Sequence, residues 1–351
     1  MKITTIVGAR PQFIKASYLS TQFSDLGVDE RLLHTGQHYD SNMSDIFFDE
    51  LQIPKPAKNL NIGGGSHGVQ TSQMLMAVEQ DLLDNQPDAV LVYGDTNSTL
   101  AGALSAIKLH LPVIHIEAGL RSFDKKMPEE INRILTDHVS SKLLCPTPTA
   151  VRNLADEGIT QGVHLIGDVM HPVLLGFSSL AQSSSNILEQ LSVLESEYYL
   201  ATIHRADNTD DSEVLKSIIE TLSALDRIVV LPLHPRTAGK VEALNLQYDT
   251  SKIKVVEPVG YLDMIALIKG AKIVLTDSGG LQKEAVWLST PCVTMRSSTE
   301  WVETLDSGWN TLTGTNPKSI IDAVEKYESI SALSPVSVET FSAQKIVDLF
   351  L

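Results

Sequence analysis

Residues Ile273 to Glu284 have the sequence I-V-L-T-D-S-G-G-L-Q-K-E, which predicts a buried strand, a turn and the start of a helix. Gly279 and Gly280 have no Cβ, so a ligand can approach the backbone closely, and the N–H groups that open a helix favour a phosphate. Glu284 follows Gly280 by one helical turn, where its carboxylate can accept hydrogen bonds from a ribose diol. A turn that binds nothing is the alternative, because short glycine motifs often match by chance.

The same order of strand, turn and helix repeats along the whole chain. The strand candidates are Ile3–Val7, Leu32–His34, Ala89–Tyr93, Val113–Ile116, Leu143–Cys145, Tyr199–Ile203, Ile228–Leu233, Ile253–Val256, Ile273–Leu275 and Cys292–Met295. Helical stretches separate them, which predicts an α/β protein of two doubly wound, mostly parallel sheets. We expect domains of residues 1–170 and 171–337, a polar linker at Ala181 to Ser185, and ligands in a cleft at the carboxyl ends of the strands. A last helix of about 338–351 could dock on either domain.

The net charge and composition of the chain exclude some classes of binding partner. The chain has 351 residues with 27 Lys and Arg against 43 Asp and Glu, and this net charge of −16 argues against nucleic acid or an anionic membrane surface as partner. No apolar run is long enough to span a membrane, and the first residues lack a signal-peptide pattern. Cys145 and Cys292 lie in apolar strand candidates and are expected to be core residues. These features indicate a cytoplasmic globular protein.

Charged residues follow the strand ends of the first half. Gly8 to Pro11 follows the first strand and lacks the G-x-G-x-x-G fingerprint of a nicotinamide dinucleotide site. This turn instead presents Arg10, and Lys15 follows one helical turn beyond Pro11, which gives two cations for a charged substrate. Lys15 alone is better explained as a solvated helix residue. Asp95 and Glu117 follow two strands that we expect to be adjacent. Asp95 also fits a helix cap.

Other candidates are a carboxylate pair and two histidine motifs. Pro128-Glu129-Glu130 opens a helix, and its carboxylates either complement the helix dipole or join the two acidic residues above in acid/base chemistry. His204-Arg205 follows a strand of the second half, where Arg205 adds a partner for an anion. His34 to Tyr39 contains two histidines, but no further set of ligands is evident and we expect no metal site.

In chain order these motifs resemble the non-hydrolysing UDP-N-acetylglucosamine 2-epimerases. The matching segments are G-A-R-P with Lys15, G-D-T at Asp95, E-A-G-L-R at Glu117, P-E-E-x-N-R at Glu129, H-R at His204 and T-D-S-G-G-x-Q-x-E ending at Glu284. The resemblance extends from Gly8 to about Glu303. It implies two Rossmann-like domains arranged as in the GT-B glycosyltransferases, a last helix that crosses back to the first domain, a homodimer and no cofactor.

The resemblance also implies roles for individual residues. By position, the catalytic residues would be Asp95, Glu117, Glu129 and His204. The UDP-sugar would contact Arg10, Lys15, Arg121, Arg205, Pro258, Met264, Ser278, Gly279, Gly280 and Glu284. In the implied reaction, UDP leaves C1 as the C2 proton is removed, a 2-acetamidoglycal forms, and UDP and a proton add back to invert C2. Which carboxylate is the base and which the acid stays open.

Two segments differ from the simple enzymes of this family. Those enzymes usually have arginine and proline after the T-E of M-R-x-x-T-E, whereas Thr299-Glu300 is followed here by Trp301-Val302. They also tend to have a second arginine after H-R, where this chain has Ala206. Trp301 is therefore a candidate for substrate specificity. The sequence W-V-E at Trp301 to Glu303 looks closer to the branch of the family that epimerises UDP-2,3-diacetamido-2,3-dideoxyglucuronate. The C6 carboxylate and C3 acetamido group of that sugar would explain why the substrate pocket differs from that of the simple enzymes.

Three other functions fit part of the pattern. A GT-B glycosyltransferase would share the phosphate turn and the ribose carboxylate but would need a sugar acceptor. A hydrolysing 2-epimerase would release free UDP, and a nucleotide-sugar sensor would bind without reaction. The three acidic positions in one cleft favour epimerisation over glycosyl transfer and over a sensor, and the hydrolysing enzyme is the nearest of the three alternatives.

Overall fold

The computed structural model describes residues 1–37, 55–330, 333–334 and 339–349, which form two compact units. The first unit contains Met1–Val173 and Val338–Leu351, and the second contains Leu174–Ser337. Each unit is built around one parallel sheet whose strands are connected through helices. The predicted fold class of two doubly wound, Rossmann-like α/β halves is confirmed.

The first unit contains a seven-stranded parallel sheet. Its strands are β1 (Lys2–Val7), β2 (Asp29–His34), β3 (Lys58–Asn59), β4 (Ala89–Tyr93), β5 (Val113–Ile116), β6 (Lys142–Cys145) and β7 (Val163–Leu165). They lie in the order β3-β2-β1-β4-β5-β6-β7. The strand order reverses between β1 and β4, and in open α/β sheets ligands bind at the carboxyl ends of the strands at such a reversal.

The second unit contains a six-stranded parallel sheet of the same design. Its strands are β8 (Tyr198–Thr202), β9 (Ile228–Pro232), β10 (Ile253–Val256), β11 (Ile273–Thr276), β12 (Cys292–Thr294) and β13 (Asn310–Leu312). They lie in the order β10-β9-β8-β11-β12-β13, so the reversal falls between β8 and β11. The strand that opens the D-S-G-G turn is therefore at the reversal of its sheet.

Helices cover the sheets between these strands. In chain order they are α1 (Arg10–Asp25), α2 (His67–Asn85), α3 (Asn97–Lys108), α4 (Pro128–Val139), α5 (Pro148–Asp156), α6 (Met170–Ser184), α7 (Ile187–Gln190), α8 (Ala206–Thr209), α9 (Ser212–Ser223), α10 (Pro235–Ala243), α11 (Tyr261–Gly270), α12 (Gly279–Trp287), α13 (Val302–Asp306), α14 (Pro317–Ser329) and α15 (Ala343–Asp348). Successive residues of a strand alternate between the two faces of the sheet, so Tyr199 and Leu200 enter separate apolar clusters. Both faces of the second sheet are therefore packed.

The predicted linker at Ala181 to Ser185 is wrong, because α6 continues through Ser184. The hydroxyls of Ser183 and Ser184 donate to the carbonyl of Leu180, at 2.9 and 2.8 Å, which satisfies them within the helix. A run of small polar residues therefore does not interrupt the helix here. The helix instead carries the chain from the first unit into the second.

Strands β3, β7 and β13 are not predicted by the hydrophobic pattern of the sequence. Each is two or three residues long and lies at the edge of its sheet. Lys58–Asn59 has no apolar residue at all, so no hydrophobic pattern marks it.

Near the C-terminus, the ring of Phe341, just before α15, meets Tyr18 of α1 edge-on at 6.1 Å, and the first unit therefore holds this segment.

Candidate active site

The candidate site of the first unit lies where β1, β4 and β5 end. β4 pairs with β5 so that Tyr93 is opposite Ile116, which confirms that Asp95 and Glu117 follow adjacent strands. Lys15 of α1 forms an ion pair with Glu117, and both residues are buried. One predicted cation and one predicted proton carrier are thus in direct contact at the reversal of the sheet.

Glu117 has an unusual backbone conformation. Its φ is 70°, in the left-handed region that residues other than glycine rarely adopt. A Cβ built on Gly94, the residue after β4, would lie 3.1 Å from Glu117 Oε2, so the carboxylate packs against the end of the neighbouring strand. Such a conformation costs on the order of 1–3 kcal/mol and is typical of functional sites. It supports a chemical task for this carboxylate.

Asp95 is held by the helix that carries the P-E-E-x-N-R motif. Arg133 of α4 forms an ion pair with Asp95, and Asn132 Nδ2 donates to the Asp95 carbonyl at 2.9 Å. The Asp95 side chain keeps 32% of its surface exposed, so it is positioned and still accessible. The cap of α3 is Thr96, whose hydroxyl accepts the Thr99 N–H at 3.2 Å. The helix-cap explanation of Asp95 is therefore wrong.

The two carboxylates that open α4 have different surroundings. Glu130 is buried and accepts the backbone N–H groups of Ser122 and Phe123 at 3.0 and 2.9 Å, while Arg133 donates to it at 2.8 Å. It thereby ties the loop before α4 to the helix. Glu129 is exposed in the first turn of α4. Of the pair, only Glu129 is placed to meet a ligand from solvent.

The two arginines predicted in the first unit also differ. Arg10 is the first residue of α1 and is partly exposed. Arg121 is buried, and its guanidinium donates to Asp137 and Glu157, each at 2.7 Å. Burial alone would lower the pKa of Arg121, but the two carboxylates outweigh it and raise the pKa above its usual value. Arg121 thus has partners inside the first unit, and its contact with substrate stays a prediction.

Gln12 is a positioning residue that the sequence analysis missed. Its Oε1 accepts the N–H groups of Gly8 and Ala9 at 2.8 and 3.0 Å, and its Nε2 donates to the Tyr93 carbonyl at 2.8 Å. It therefore joins the turn after β1 to the end of β4. A neutral amide in a first helical turn gives no charge or spacing signal, so only the three-dimensional contacts reveal it.

A buried network behind the strand ends was also missed. His115 Nε2 donates to the Gly94 carbonyl at 2.7 Å, and His115 Nδ1 lies 2.7 Å from Asp137 Oδ1. Burial raises the pKa of Asp137, but His115 and Arg121 outweigh it and lower the pKa below its ordinary value. The network fixes Gly94 and therefore the start of the segment that carries Asp95.

The candidate site of the second unit begins at the end of β11. Ser278 caps α12 by accepting the Leu281 N–H at 3.4 Å. A Cβ on Gly279 would lie 2.5 Å from Glu300 Oε1, so any larger residue there would have to displace the end of the Glu300 side chain. A Cβ on Gly280 would meet nothing within 4 Å. The first turn of α12 thus has one packed glycine and one open glycine, and its free N–H groups suit a phosphate.

Asp277 organises the segment after β8, although the sequence analysis gave it no role. Its buried carboxylate accepts the N–H groups of His204 and Arg205, each at 3.0 Å, and the Asn208 side-chain N–H at 3.1 Å. His204 Nδ1 lies 2.9 Å from Asp277 Oδ1, and 48% of the imidazole is exposed. Burial raises the pKa of Asp277, but the hydrogen bonds from His204 and Arg205 outweigh it and lower the pKa below its ordinary value. Asp277 therefore positions both predicted residues of the H-R motif.

The remaining candidates of the second unit lie around α11, α12 and α13. Glu284 is buried in α12, and Tyr261 donates its hydroxyl to Glu284 Oε1 at 3.0 Å. Pro258 is exposed in the segment between β10 and α11, and Met264 is partly exposed on α11. Trp301 is buried directly before α13. The structure thus brings Glu284 next to the first residue of the helix that was predicted to frame the uracil.

Metal ligation and membrane insertion can be judged for the described part of the chain. Within it, no group of three or more His, Cys, Asp or Glu side chains could hold a metal ion. His34 is buried at the end of β2, while His38 and Tyr39 fall outside the described residues. Cys145 and Cys292 are buried and unpaired, as core residues would be. Over the same residues, the helices are too short or too polar for one of them to cross a bilayer.

Comparison with known sequences gives consistent matches along the chain. The profile of the family described as UDP-N-acetylglucosamine 2-epimerase matches residues 23–349. A UDP-N-acetylglucosamine 2-epimerase homolog of Methanococcus maripaludis is 52% identical over 337 residues, covering 94% of each chain. The UDP-2,3-diacetamido-2,3-dideoxy-D-glucuronate 2-epimerase of Pseudomonas aeruginosa is 52% identical over 330 residues, covering 92% of this chain and 91% of its own.

Comparison with solved structures agrees with the sequence matches. The crystal structure of the UDP-N-acetylglucosamine 2-epimerase of Methanocaldococcus jannaschii, in complex with UDP-N-acetylglucosamine and UDP, superimposes with a TM-score of 0.91. It is 42% identical and covers 100% of this chain and 99% of its own. Sequence and fold therefore agree over nearly the full length, and the chain belongs to the UDP-N-acetylglucosamine 2-epimerase family.

Proposed function

We propose that this protein is a non-hydrolysing UDP-sugar 2-epimerase that inverts C2 of a UDP-2-acetamido sugar. The observation that carries the proposal is the pair of carboxylates, Asp95 and Glu117, that follow adjacent strands and are each paired with a buried cation. Carboxylates fixed in this way are suited to proton transfer to and from a bound substrate.

The reaction needs a step that makes the C2 hydrogen acidic. No carbonyl adjoins C2 in an acetamido sugar, so direct removal of this proton would leave a charge that nothing stabilises. Loss of UDP from C1 develops positive charge next to C2, and removal of the C2 proton then gives a neutral 2-acetamidoglycal. Return of UDP to C1, with a proton delivered to C2 from the opposite face, yields the epimer. UDP must stay bound between the two steps.

We assign roles to the candidate residues on this basis. Asp95, Glu117 and Glu129 are the candidates that remove and return the proton. Arg10, Lys15 and His204 stabilise the negative charge that develops on the departing diphosphate. The remaining predicted contacts hold the substrate: Ser278, Gly279 and Gly280 the phosphates, Glu284 the ribose hydroxyls, the segment from Pro258 to Met264 the uracil, and Arg121 and Arg205 the charged groups of the UDP-sugar.

We infer that the preferred substrate is UDP-2,3-diacetamido-2,3-dideoxyglucuronate, which is converted to the manno epimer. The P. aeruginosa enzyme named for this substrate and the M. maripaludis UDP-N-acetylglucosamine 2-epimerase homolog are each 52% identical to the chain, so overall identity does not distinguish the two substrates. The observation that supports the uronate is Trp301-Val302, which stands where the simple enzymes resembled by the sequence usually have arginine and proline.

We also propose that two copies of the chain associate. Val69, Met76 and Leu83 recur every seventh residue of α2 and therefore share one face of the helix. Their exposed fractions are 50%, 72% and 50%, which is unusually high for apolar side chains on one stripe. A second copy of the same face would bury this stripe in a symmetric homodimer.

The two free, buried cysteines fit a cytoplasmic enzyme.

The activity is tested by proton NMR of the purified protein with each UDP-sugar in parallel. The proposal predicts conversion to the C2 epimer in both directions, with the diacetamido uronate preferred. Full conversion of UDP-N-acetylglucosamine without preference for the uronate would contradict the substrate assignment only. Free UDP without epimer would indicate a hydrolase, and UDP release that depends on an added sugar acceptor would indicate a glycosyltransferase.

A further inference from the structure

Phe123, in the loop between β5 and α4, combines two features that do not stabilise the folded protein. Its φ is 59°, in the left-handed region, which is unfavourable for a bulky residue. Its side chain is 77% exposed, so burial of the ring does not offset the cost of this conformation. The fold of the ligand-free chain therefore gives no reason for an aromatic residue at this position.

The backbone conformation of this loop has a separate explanation in Glu130. The Glu130 carboxylate accepts the N–H groups of Ser122 and Phe123, at 3.0 and 2.9 Å. A left-handed residue in a turn lets successive N–H groups converge on one anion in this way. Glycine or asparagine adopts that conformation at a lower cost. Glu130 thus explains the turn at Phe123 but not its phenyl ring.

The same contacts connect the loop to a candidate proton carrier. Glu130 is only 1% exposed and accepts a hydrogen bond from Arg133 Nη1 at 2.8 Å, and Arg133 Nη2 forms the ion pair with Asp95. Three consecutive contacts, all through buried groups, therefore join the Phe123 N–H to the Asp95 carboxylate. Because Asp95 is proposed to act at C2 of the sugar, the exposed ring is held in the neighbourhood that the sugar must enter.

We propose that Phe123 is a substrate-contact residue whose ring packs on the sugar of the UDP-sugar. This inference rests on the proposed function, because it concerns the sugar that the same site takes. A hexose has an apolar face of C–H groups, and an acetamido group adds a methyl, so an aromatic ring gains by covering them. Burial of the ring against the sugar then offsets the cost of the left-handed conformation, which nothing offsets in the free protein.

The test compares Phe123→Gly with Phe123→Tyr. Glycine removes the ring and relieves the backbone, so the Tm of the ligand-free protein should rise by about 2–4 °C. We expect KM to rise about tenfold for the diacetamido uronate and for UDP-N-acetylglucosamine, with kcat nearly unchanged, because an apolar contact is equal in ground and transition states. The affinity for UDP alone, measured by calorimetry, should stay within about threefold. Phe123→Tyr keeps the ring and should keep KM within about threefold of the wild type.

Ser196→Gly is the matched control for the backbone effect. Ser196 has a φ of 61°, is exposed, and lies just before β8, at the amino end of the strands and thus opposite the candidate site. It should leave KM unchanged.

Three results would overturn the proposal. An unchanged KM in Phe123→Gly would exclude a contact with the sugar. A lower Tm with weaker binding of UDP alone would indicate a structural role for the ring. Conversion of a dimer to a monomer by Phe123→Gly, in sedimentation, would indicate an interface between copies of the chain instead.

Failure of the proposed function gives a different result. If the wild-type protein binds a UDP-sugar without epimerising it, the proposed function fails, and calorimetry with the intact UDP-sugar still tests Phe123. The affinity should then fall about tenfold in Phe123→Gly and be kept in Phe123→Tyr. Equal affinity of the wild type and Phe123→Gly for the UDP-sugar would overturn the inference, and a wild type that binds neither UDP-sugar would overturn both proposals.

Discussion

Lys15 and Glu117, which lie 102 residues apart in the sequence, form a buried ion pair where two neighbouring strands end. We predict that Glu117→Gln lowers kcat for epimerisation by about 10²–10⁴-fold, because a positioned proton carrier contributes that much. The affinity for UDP should change little, since the proposed task of this carboxylate is proton transfer on the sugar. Steady-state kinetics and calorimetry with UDP measure the two effects separately.

Lys15→Met is predicted to destabilise the fold more than Glu117→Gln does. It leaves the Glu117 carboxylate buried without its ammonium, and breaking a buried pair from one side costs about 3–5 kcal/mol. The double variant Lys15→Met/Glu117→Gln should recover most of this loss in a urea titration while remaining inactive. Equal stability of Lys15→Met and the double variant would contradict the coupling of the two residues.

The two glycines that open α12 are predicted to respond in opposite ways to alanine. Gly279→Ala must displace the end of the Glu300 side chain, which pairs with Arg296, so we expect a small loss of about 1 kcal/mol or less in unfolding free energy. Gly280→Ala meets no neighbour and adds helix propensity, so the ligand-free protein should be at least as stable as the wild type. If Gly280 touches a phosphate, the Cβ that alanine adds at this position should weaken UDP binding about tenfold or more, a difference of about 1.4 kcal/mol in binding free energy.

Thermal melts with and without UDP distinguish these outcomes. Each kcal/mol corresponds to about 2–4 °C in Tm for a domain of this size. Gly176→Ala, on a glycine of α6 with open space around it, is the control for a helical alanine away from the site. Normal UDP binding by Gly280→Ala would exclude the proposed phosphate turn.

Asp277 is predicted to contribute stability that depends on acid pH. Its folded-state pKa lies below its ordinary value, so its contribution is complete above the unfolded pKa of about 3.9 and is lost as the pH falls through the lower, folded value. Asp277→Asn should therefore cost about 1–3 kcal/mol near neutral pH, since buried donors lose their acceptor. The difference from the wild type should shrink below about pH 4. Urea unfolding at pH 7 and at pH 3.5 measures it, and a difference that does not depend on pH would contradict the assignment.

Cys145 and Cys292 are predicted to be unreactive in the folded protein. Burial raises the pKa of each thiol to about 12. At pH 8 only about one thiol in ten thousand is then ionised, and the thiolate is the reactive form. A thiol reagent followed by mass spectrometry should label neither cysteine in buffer and both in concentrated urea. Rapid labelling of the folded protein would show that these strands open far more readily than their packing indicates.

The sequence predicts the fold well where strands are long and buried. β4 and β11 were identified because every residue is apolar or β-branched, which is typical of parallel strands packed on both faces. β3, β7 and β13 were missed because two or three residues cannot show a hydrophobic period. The serine-rich end of α6 was misjudged because low hydrophobicity does not prevent a helix whose hydroxyls bond to its own backbone.

For the site, the sequence indicates the charged residues and misses those that position them. Asp95, Glu117 and His204 follow strand ends, which is a signal visible in one dimension. Gln12 and Asp277 act through bonds to backbone groups that are distant in sequence, and such contacts have no pattern along the chain.

The central claim is that UDP leaves and returns during epimerisation, and positional isotope exchange tests it most directly. The substrate carries oxygen-18 in the bridge between C1 and the β-phosphorus, and phosphorus NMR follows its position as the C2 epimer forms. If the C1–O bond breaks, the label must appear in the non-bridging oxygens of the β-phosphate at a rate comparable to that of epimerisation. Epimer that keeps all of the label in the bridge would contradict elimination and readdition.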